Sequence, residues 1–258
     1  MPTEITDWND LDNVRNGLSD DYVLVNDLDS STVGYDGIGD DFEPIGYISG
    51  DGFTSEFMGS FDGGGHSISD LVVDYSGTGA ADVGLFASTG DAALIENVIV
   101  AGDVTGGDGS DQTGRSIAGG LIGHHEGGLI RHCASFVDVT ATGDFVGSFA
   151  GSNLGGDIED SYSIGSATGD SDVGGFVGRV EGTIERCYSA GLVEGNSSVG
   201  GFAGNSFGTI NDCYWDTERS QQSSSDGGTG LTSAEMRGES ASTNMNGLNF
   251  ESIWETID

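Results

Sequence analysis

Gly120-Leu121-Ile122-Gly123, followed by Ile130-Arg131-His132-Cys133-Ala134-Ser135, is a phrase that this chain says four times. It returns as Ser148-Phe149-Ala150-Gly151 with Ile158-Glu159-Asp160-Ser161-Tyr162-Ser163. It returns again as Gly175-Phe176-Val177-Gly178 with Ile184-Glu185-Arg186-Cys187-Tyr188-Ser189. The last copy is Gly201-Phe202-Ala203-Gly204 with Ile210-Asn211-Asp212-Cys213-Tyr214-Trp215. The isoleucines at 130, 158, 184 and 210 are spaced by 28, 26 and 26 residues. A fainter copy, Val83-Gly84-Leu85-Phe86 with Ile95-Glu96-Asn97-Val98, precedes them. Periods in this range mark solenoids, propellers or arrays.

The contents of the unit choose among these. Each copy holds short β-rich runs broken by Gly and lacks a helical stripe. A propeller blade needs about 40 residues, so the unit is too short for one. It fits one coil of a parallel β-helix, stacked on the next at roughly 4.8 Å. Equivalent residues then form columns along the axis: Leu121, Phe149, Phe176 and Phe202; the four isoleucines; and Cys133, Ser161, Cys187 and Cys213. One coil cannot bury its apolar side alone, so the stack is the folding unit. The expectation is an all-β solenoid of roughly 26–28-residue coils.

These residues also resemble a family. Gly120-Leu121-Ile122-Gly123 is similar to the motif of GLUG-repeat proteins, Gly-Leu-hydrophobic-Gly. The copies at 175–178 and 201–204 carry Phe for Leu, and 148–151 departs by opening with Ser. Tyr22 through Asp29, Phe61 through Ile68 and Cys213 through Glu218 resemble the family's opening and closing phrases. The resemblance covers most of the chain. It implies a right-handed β-helix of the kind found in surface and adhesin-like proteins and in non-catalytic parts of large secreted proteases. It implies no catalytic residues.

Composition narrows the setting. Among 258 residues, 43 are acidic and 7 basic, for a net charge of −36, and every basic residue is Arg. Like charge at this density repels itself at ordinary ionic strength, whereas at 1 M salt the Debye length falls to about 3 Å. The charge points to a halophile, an archaeon above all. It argues against a nucleic-acid partner, which requires a basic patch, and against anionic membranes. Met1 through Asp7 has neither the basic nor the apolar region of a signal peptide, and no apolar run is long enough for a membrane span. The chain then acts inside the cell, leaves by another route such as a virus particle, or has lost a signal. The three cysteines lack a Cys-x-x-Cys pair. They occupy a slot that Ser161 and Val98 fill elsewhere, so the slot calls for a small buried side chain.

In chain order, residues 1–82 form an N-terminal cap and first coils, 83–216 the repeats and 217–258 a tail, in one continuous domain. Trp8, Leu11, Val14 and Leu18 share a helical face over 6–18, with Thr6 or Asp7 as cap, and this helix should cover the open end of the stack. Tyr22–Leu28 is the first strand. Residues 29–56 are loop-like, with a turn at Pro44-Ile45-Gly46, and strands resume over Phe57–Tyr75, broken by a Gly turn at Asp62 through His66. Residues 104–116 should protrude as an insertion. Beyond Trp215, Ser220–Gly230 is polar, Leu231–Arg237 is a helical candidate with a Thr232/Glu235 capping box, and Phe250, Ile253, Trp254 and Ile257 should fold back on the stack or form a subunit contact.

Several constellations carry candidate chemistry. Tyr162, Tyr188 and Tyr214 form an aromatic column. Alternation turns them outward if their Cys-slot neighbours point inward, so with Trp215 they are the candidate binding platform for a sugar or partner protein. Asp27, Asp29 and Asp36, near Asn26, Asp40 and Asp41, are weak Ca²⁺ candidates; no other cofactor is implied. His124-His125-Glu126 lacks the second His of a zinc-protease helix, since position 129 is Leu129, and aligns with the turns 179–181 and 205–207. No row of basic and acidic residues crosses neighbouring coils as a lyase site requires. The expected function is a non-enzymatic structural or interaction module of a virion or cell surface in high salt. It would contact other subunits or a glycan receptor, with a homo-oligomer, a trimer above all, in view. The alternative is a carbohydrate-active β-helix enzyme.

Overall fold

The computed structural model describes residues 1–46, 55–76, 82–107 and 116–254. The described strands form four sheets, and every pairing between them is parallel. A coil visits the four in turn. From Leu94–Glu96 in the first sheet the chain passes a corner at Asn97 and enters Ile99–Thr105 in the second. It continues through Ile117–Gly119 in the third, turns at Gly120-Leu121, and follows Ile122–His125 in the fourth. Leu129–Arg131 then returns to the first sheet, one strand further along. These are the long parallel stacks of a β-helix.

The first sheet holds the expected isoleucine column and lengthens it. Tyr22, Phe61, Ile95, Ile130, Ile158, Ile184 and Ile210 lie in register. All but Ile210 are buried. Stacking lets each β-branched side chain cover the one below, so a strand of three residues suffices where an isolated one would not hold.

The corner after this strand has its own column. Asn97, His132, Asp160, Arg186 and Asp212 have φ of 57°, 53°, 45°, 55° and 50°. Asn and Asp accept the left-handed region readily, whereas His and Arg do so at a cost of about 1 kcal/mol or more. Arg186 offsets that cost by pairing with Asp160 on the coil below at 3.0 Å and with Glu159 at 2.9 Å. The residue one place on closes the corner. The thiols of Cys133, Cys187 and Cys213 donate to the carbonyls of Arg131, Glu185 and Asn211 at 3.1, 3.2 and 3.1 Å, and Ser161 Oγ does the same to Glu159 at 2.7 Å. The slot takes a small buried side chain; where it is Cys or Ser that side chain also closes the corner, and Val98 fills the slot without doing so. All three cysteines are free and buried, and burial pushes the Cys133 thiol up to about 12, so it stays protonated and inert.

The glycines of the repeated phrase answer to close approach between the third and fourth sheets. A Cβ on Gly151 would lie 2.5 Å from Ile117 Cγ2 and 2.8 Å from the Ala118 nitrogen, and one on Gly178 would lie 2.5 Å from the Val146 nitrogen. Between the glycines, Leu121, Phe149, Phe176 and Phe202 fill the interior. Phe149 and Phe176 stack at 4.5 Å, and Phe176 and Phe202 at 5.0 Å. A serine ladder ties this turn to the second sheet: Ser135, Ser163 and Ser189 donate to the carbonyls of Ser148, Gly175 and Gly201 at 2.6, 2.8 and 2.8 Å.

The ends differ from expectation. The first strand is Thr3–Ile5, paired with Asp21–Leu24, ahead of the strand expected over 22–28. The helix α1 (Trp8–Asn13) is shorter than expected and is continued by a 3-10 turn over Val14–Asn16; Asp7 caps it by accepting from the amides of Asn9 and Asp10. It follows the edge strand of the first sheet in the chain, and Trp8, Leu11 and Val14 are buried in the core. Residues Gly39–Asp41 form a 3-10 turn within the expected loop, and Ile45 bridges to Phe86. Gly64 and Gly65 take positive φ at the expected Gly turn. Of the expected insertion, Val104 and Thr105 belong to a strand, Gly106, Gly107 and Ser116 lie outside strands, and 108–115 lie outside the described residues.

After Trp215 the stack is closed by α2 (Thr217–Ser220) and by Thr229–Leu231, which adds a strand beside Tyr214–Asp216. The expected polar loop supplies the partners that the last coil lacks. Ser225 Oγ accepts from the amides of Phe202 and Ala203, and Asp226 accepts from Ser206. Glu235 accepts from the Thr232 amide and hydroxyl, as in a capping box. The helix nevertheless begins later, as α3 (Gly238–Asn244). No helix among the described residues is long and apolar enough to cross a membrane.

Candidate functional site

Tyr162, Tyr188 and Tyr214 occupy equivalent places in the second sheet. Their neighbours Ser163 and Ser189 point inward to the ladder, so alternation turns the tyrosines away from the core. The rings of Tyr162 and Tyr188 stack at 5.1 Å and 9°. The exposed platform expected from the sequence is nonetheless absent, because the tail lies across it. Tyr214 is buried against Ala241, Met245 and Leu248, and its hydroxyl accepts from the Gly247 amide at 3.1 Å. Trp254 packs at 5.4 Å from Tyr188 and 5.9 Å from Tyr162. Burial raises the pKa of all three phenols, which keeps them protonated and able to donate. Trp215 is also displaced from the expected platform. It lies in register with the inward Ser189, is buried, and fills the space over Gly201.

Between column and tail remains a cavity of about 890 Å³. Tyr162 and Tyr188 form one side, and Met245, Leu248, Phe250 and Trp254 the other. Both of its carboxylates are engaged. Asp160 holds Arg186, and Asp216 caps α2 and accepts from Ser233 at 2.6 Å. Arg219 and Arg237 also line the cavity, and neither makes an ion pair among the described residues. By contrast Arg15, Arg131, Arg179 and Arg186 are each paired. The sequence reading passed over Arg219 and Arg237. The available signal was their place beyond the last repeat, in a chain with only 7 basic residues.

The acidic candidates near the N-terminus serve as local caps. Asp27 accepts from the Ser67 amide at 2.8 Å, and Asp29 from the amide and hydroxyl of Ser31 at 2.8 and 2.6 Å. These bonds hold both carboxyls below the usual range. Asp36 does not join them, and among the described residues no three His, Cys, Asp or Glu side chains converge as metal ligands would. His124 and His125 lie on a strand, not the expected turn, in register with Ser152 and Asn153. They point to opposite sides, which separates their rings. His124 sits 3.4 Å from Asp82 and 3.2 Å from Glu126. His125 is wholly buried, with Nδ1 2.6 Å from Thr89 Oγ1, and burial holds its pKa down to about 4. His132, at the corner after Leu129–Arg131, lines the cavity instead.

Fold and cavity together define a parallel-stranded coil stack with an aromatic side pocket roofed by its own tail. No family profile matches the chain. Over 149 residues, 56% of its length, it is 34% identical to Halomucin of Haloquadratum walsbyi, and it spans 1% of that protein's length. It is similar in fold to the crystal structure of a Bacteroides ovatus protein provisionally assigned as an immunoglobulin A1 protease, with a TM-score of 0.63 and 21% identity. That likeness covers 94% of this chain and 87% of the other; at this identity it bears on fold alone.

Proposed function

We propose that the chain is a non-catalytic structural and interaction module of a surface assembly in a high-salt environment, its coils winding right-handed in the manner of GLUG repeats. The carrying observation is that the repeats are spent on stacking. Their isoleucines, phenylalanines and serines each have a partner one coil away or across the coil, the corner donors bond within their own corner, and the two carboxylates lining the cavity are committed to fixed partners. A right-handed crossover is the rule where parallel strands are joined across a sheet. The net charge of −36 and the likeness to Halomucin support the saline setting. A rigid rod of this kind suits display on a cell or virion face, with other subunits or glycans as partners. Antibodies to the chain should label intact cells or particles of its source without permeabilisation. Labelling that appears only after lysis overturns the surface reading, and release of reducing ends from acidic or neutral polysaccharides overturns the non-catalytic one.

A further inference from the structure

We propose that the cavity between the tyrosine column and the tail binds a carboxylate-bearing sugar, a uronate unit of an acidic glycan. This rests on the reading of the chain as a non-catalytic surface module and names what it would hold.

The inference starts from the groups around the cavity that have no partner. Arg219 and Arg237 line it without an ion pair among the described residues, in a chain with 43 acidic residues. An unpaired arginine is unusual where carboxylates outnumber cations so heavily, and here two of them border one cavity. The hydroxyls of Tyr162 and Tyr188 make no hydrogen bond among the described residues, and burial keeps both protonated. The indole N–H of Trp254 is buried without an acceptor among the described residues. All five groups can donate, whereas the two lining carboxylates already have partners. An occupant that satisfies the site must therefore bring acceptors and negative charge.

The remaining surface narrows the class. The cavity, about 890 Å³, lies within the usual range for small-ligand sites and accommodates a few sugar rings. Its wall is apolar and aromatic, which suits the C–H faces of a pyranose and leaves a bare phosphate poorly covered. Guanidinium groups match carboxylates bidentately, so a uronate uses the two arginines where a neutral hexose does not. The setting favours contact recognition as well. At about 1 M salt the Debye length is about 3 Å; the protein's overall negative charge then no longer repels an acidic glycan, while a direct guanidinium–carboxylate contact is retained.

The test uses the whole chain in about 2 M KCl, titrated calorimetrically with oligogalacturonate, with the same oligomer after reduction of its carboxyls to alcohols, and with polyglutamate. Oligogalacturonate should bind, and the carboxyl-reduced oligomer should bind at least about tenfold more weakly. Arg219→Gln and Arg237→Gln should each cost roughly tenfold, in keeping with a charge-assisted hydrogen bond, with unchanged melting curves. Trp254→Phe, which keeps the ring and removes the N–H, should weaken binding without unfolding. Absence of binding by the folded chain, equal binding of the reduced oligomer, or full affinity in the arginine variants overturns the proposal. So does binding of polyglutamate alone, which would make the partner an acidic peptide. Mass spectrometry of the recovered oligomer separates the two readings: cleavage refutes the non-catalytic function and leaves the uronate site standing, whereas failure to bind refutes the site and leaves the module standing.

Discussion

Ile184 sits wholly buried in its column, in register with Ile158 on one side and Ile210 on the other. A carboxylate there would be desolvated with no donor in reach. Ile184→Asp should therefore lose more than about 4 kcal/mol and unfold the repeats, and an unchanged thermal melt would refute the interior position. Glu185, one residue on, is partly exposed and accepts from Asn211 at 3.0 Å and from Arg186 at 2.9 Å, so Glu185→Ser should cost no more than about 1 kcal/mol. His125 carries a pH effect. Its folded pKa, about 4, lies below the usual 6.5 because burial disfavours the charged ring. The unfolded chain then binds the extra proton first, so stability is full above about pH 6.5 and falls as pH drops toward 4, on the order of 3 kcal/mol in all. His125→Asn, which copies Asn153 of the next coil, should flatten that part of a denaturation-versus-pH curve. A variant with the parent's slope would place the effect elsewhere.

At the scale of elements, the coil strands were legible because each side chain repeats its role at a fixed interval, and stacking turns a period into a register. The isoleucine, phenylalanine and cysteine columns needed no more than alignment. What alignment missed lies where the period fails. Thr3–Ile5 and α1 replace parts of a coil without copying its sequence, and Ser224, Ser225 and Asp226 close the last coil by individual hydrogen bonds that leave no periodic trace. The binding platform was half legible. Alternation gave the direction of the tyrosines, but the cover over them depends on Met245, Leu248 and Trp254, which are distant in sequence. Trp215 was misplaced because it follows Tyr214 directly, and neighbours on a strand face opposite sides. Among the described residues the tail packs on the sheet without adding strands beyond Leu231, so it should be separable from the stack. Truncation after Leu231 should preserve the far-ultraviolet β spectrum while uncovering an apolar strip that binds a hydrophobic dye. Loss of that spectrum would make the tail part of the folding unit.

For the whole molecule, the stack multiplies a problem that a less regular fold would dilute. Parallel register places equivalent residues one strand apart, roughly 4.8 Å, so an acidic residue kept from coil to coil faces its own charge. Asp103 lies beside Asp138, and Glu159 beside Glu185. Arginine relieves a few of these contacts, as Arg131 does for Glu96 and Arg186 for Glu159, Asp160 and Glu185 together, which leaves Asp103 and Asp138 without such relief among the described residues. A chain with 43 acidic and 7 basic residues leaves most of them to the solvent. The Debye length decides how much solvent can do. At 0.1 M salt it is about 10 Å, which spans two strand spacings, while at 1 M it is about 3 Å, less than one. Screening therefore becomes effective between neighbouring coils only as salt approaches molar concentrations. The melting temperature should rise steadily with KCl or NaCl from about 0.1 M to a few molar. Sucrose at matched water activity should give a smaller rise, since it strengthens burial without screening. Replacing Asp103 and Asp138, which have no arginine partner among the described residues, by their amides separates screening from general salting effects: the variant should melt higher than the parent at low salt and respond less to added salt. Parallel salt responses in variant and parent would show that repulsion along the stack does not set its salt requirement.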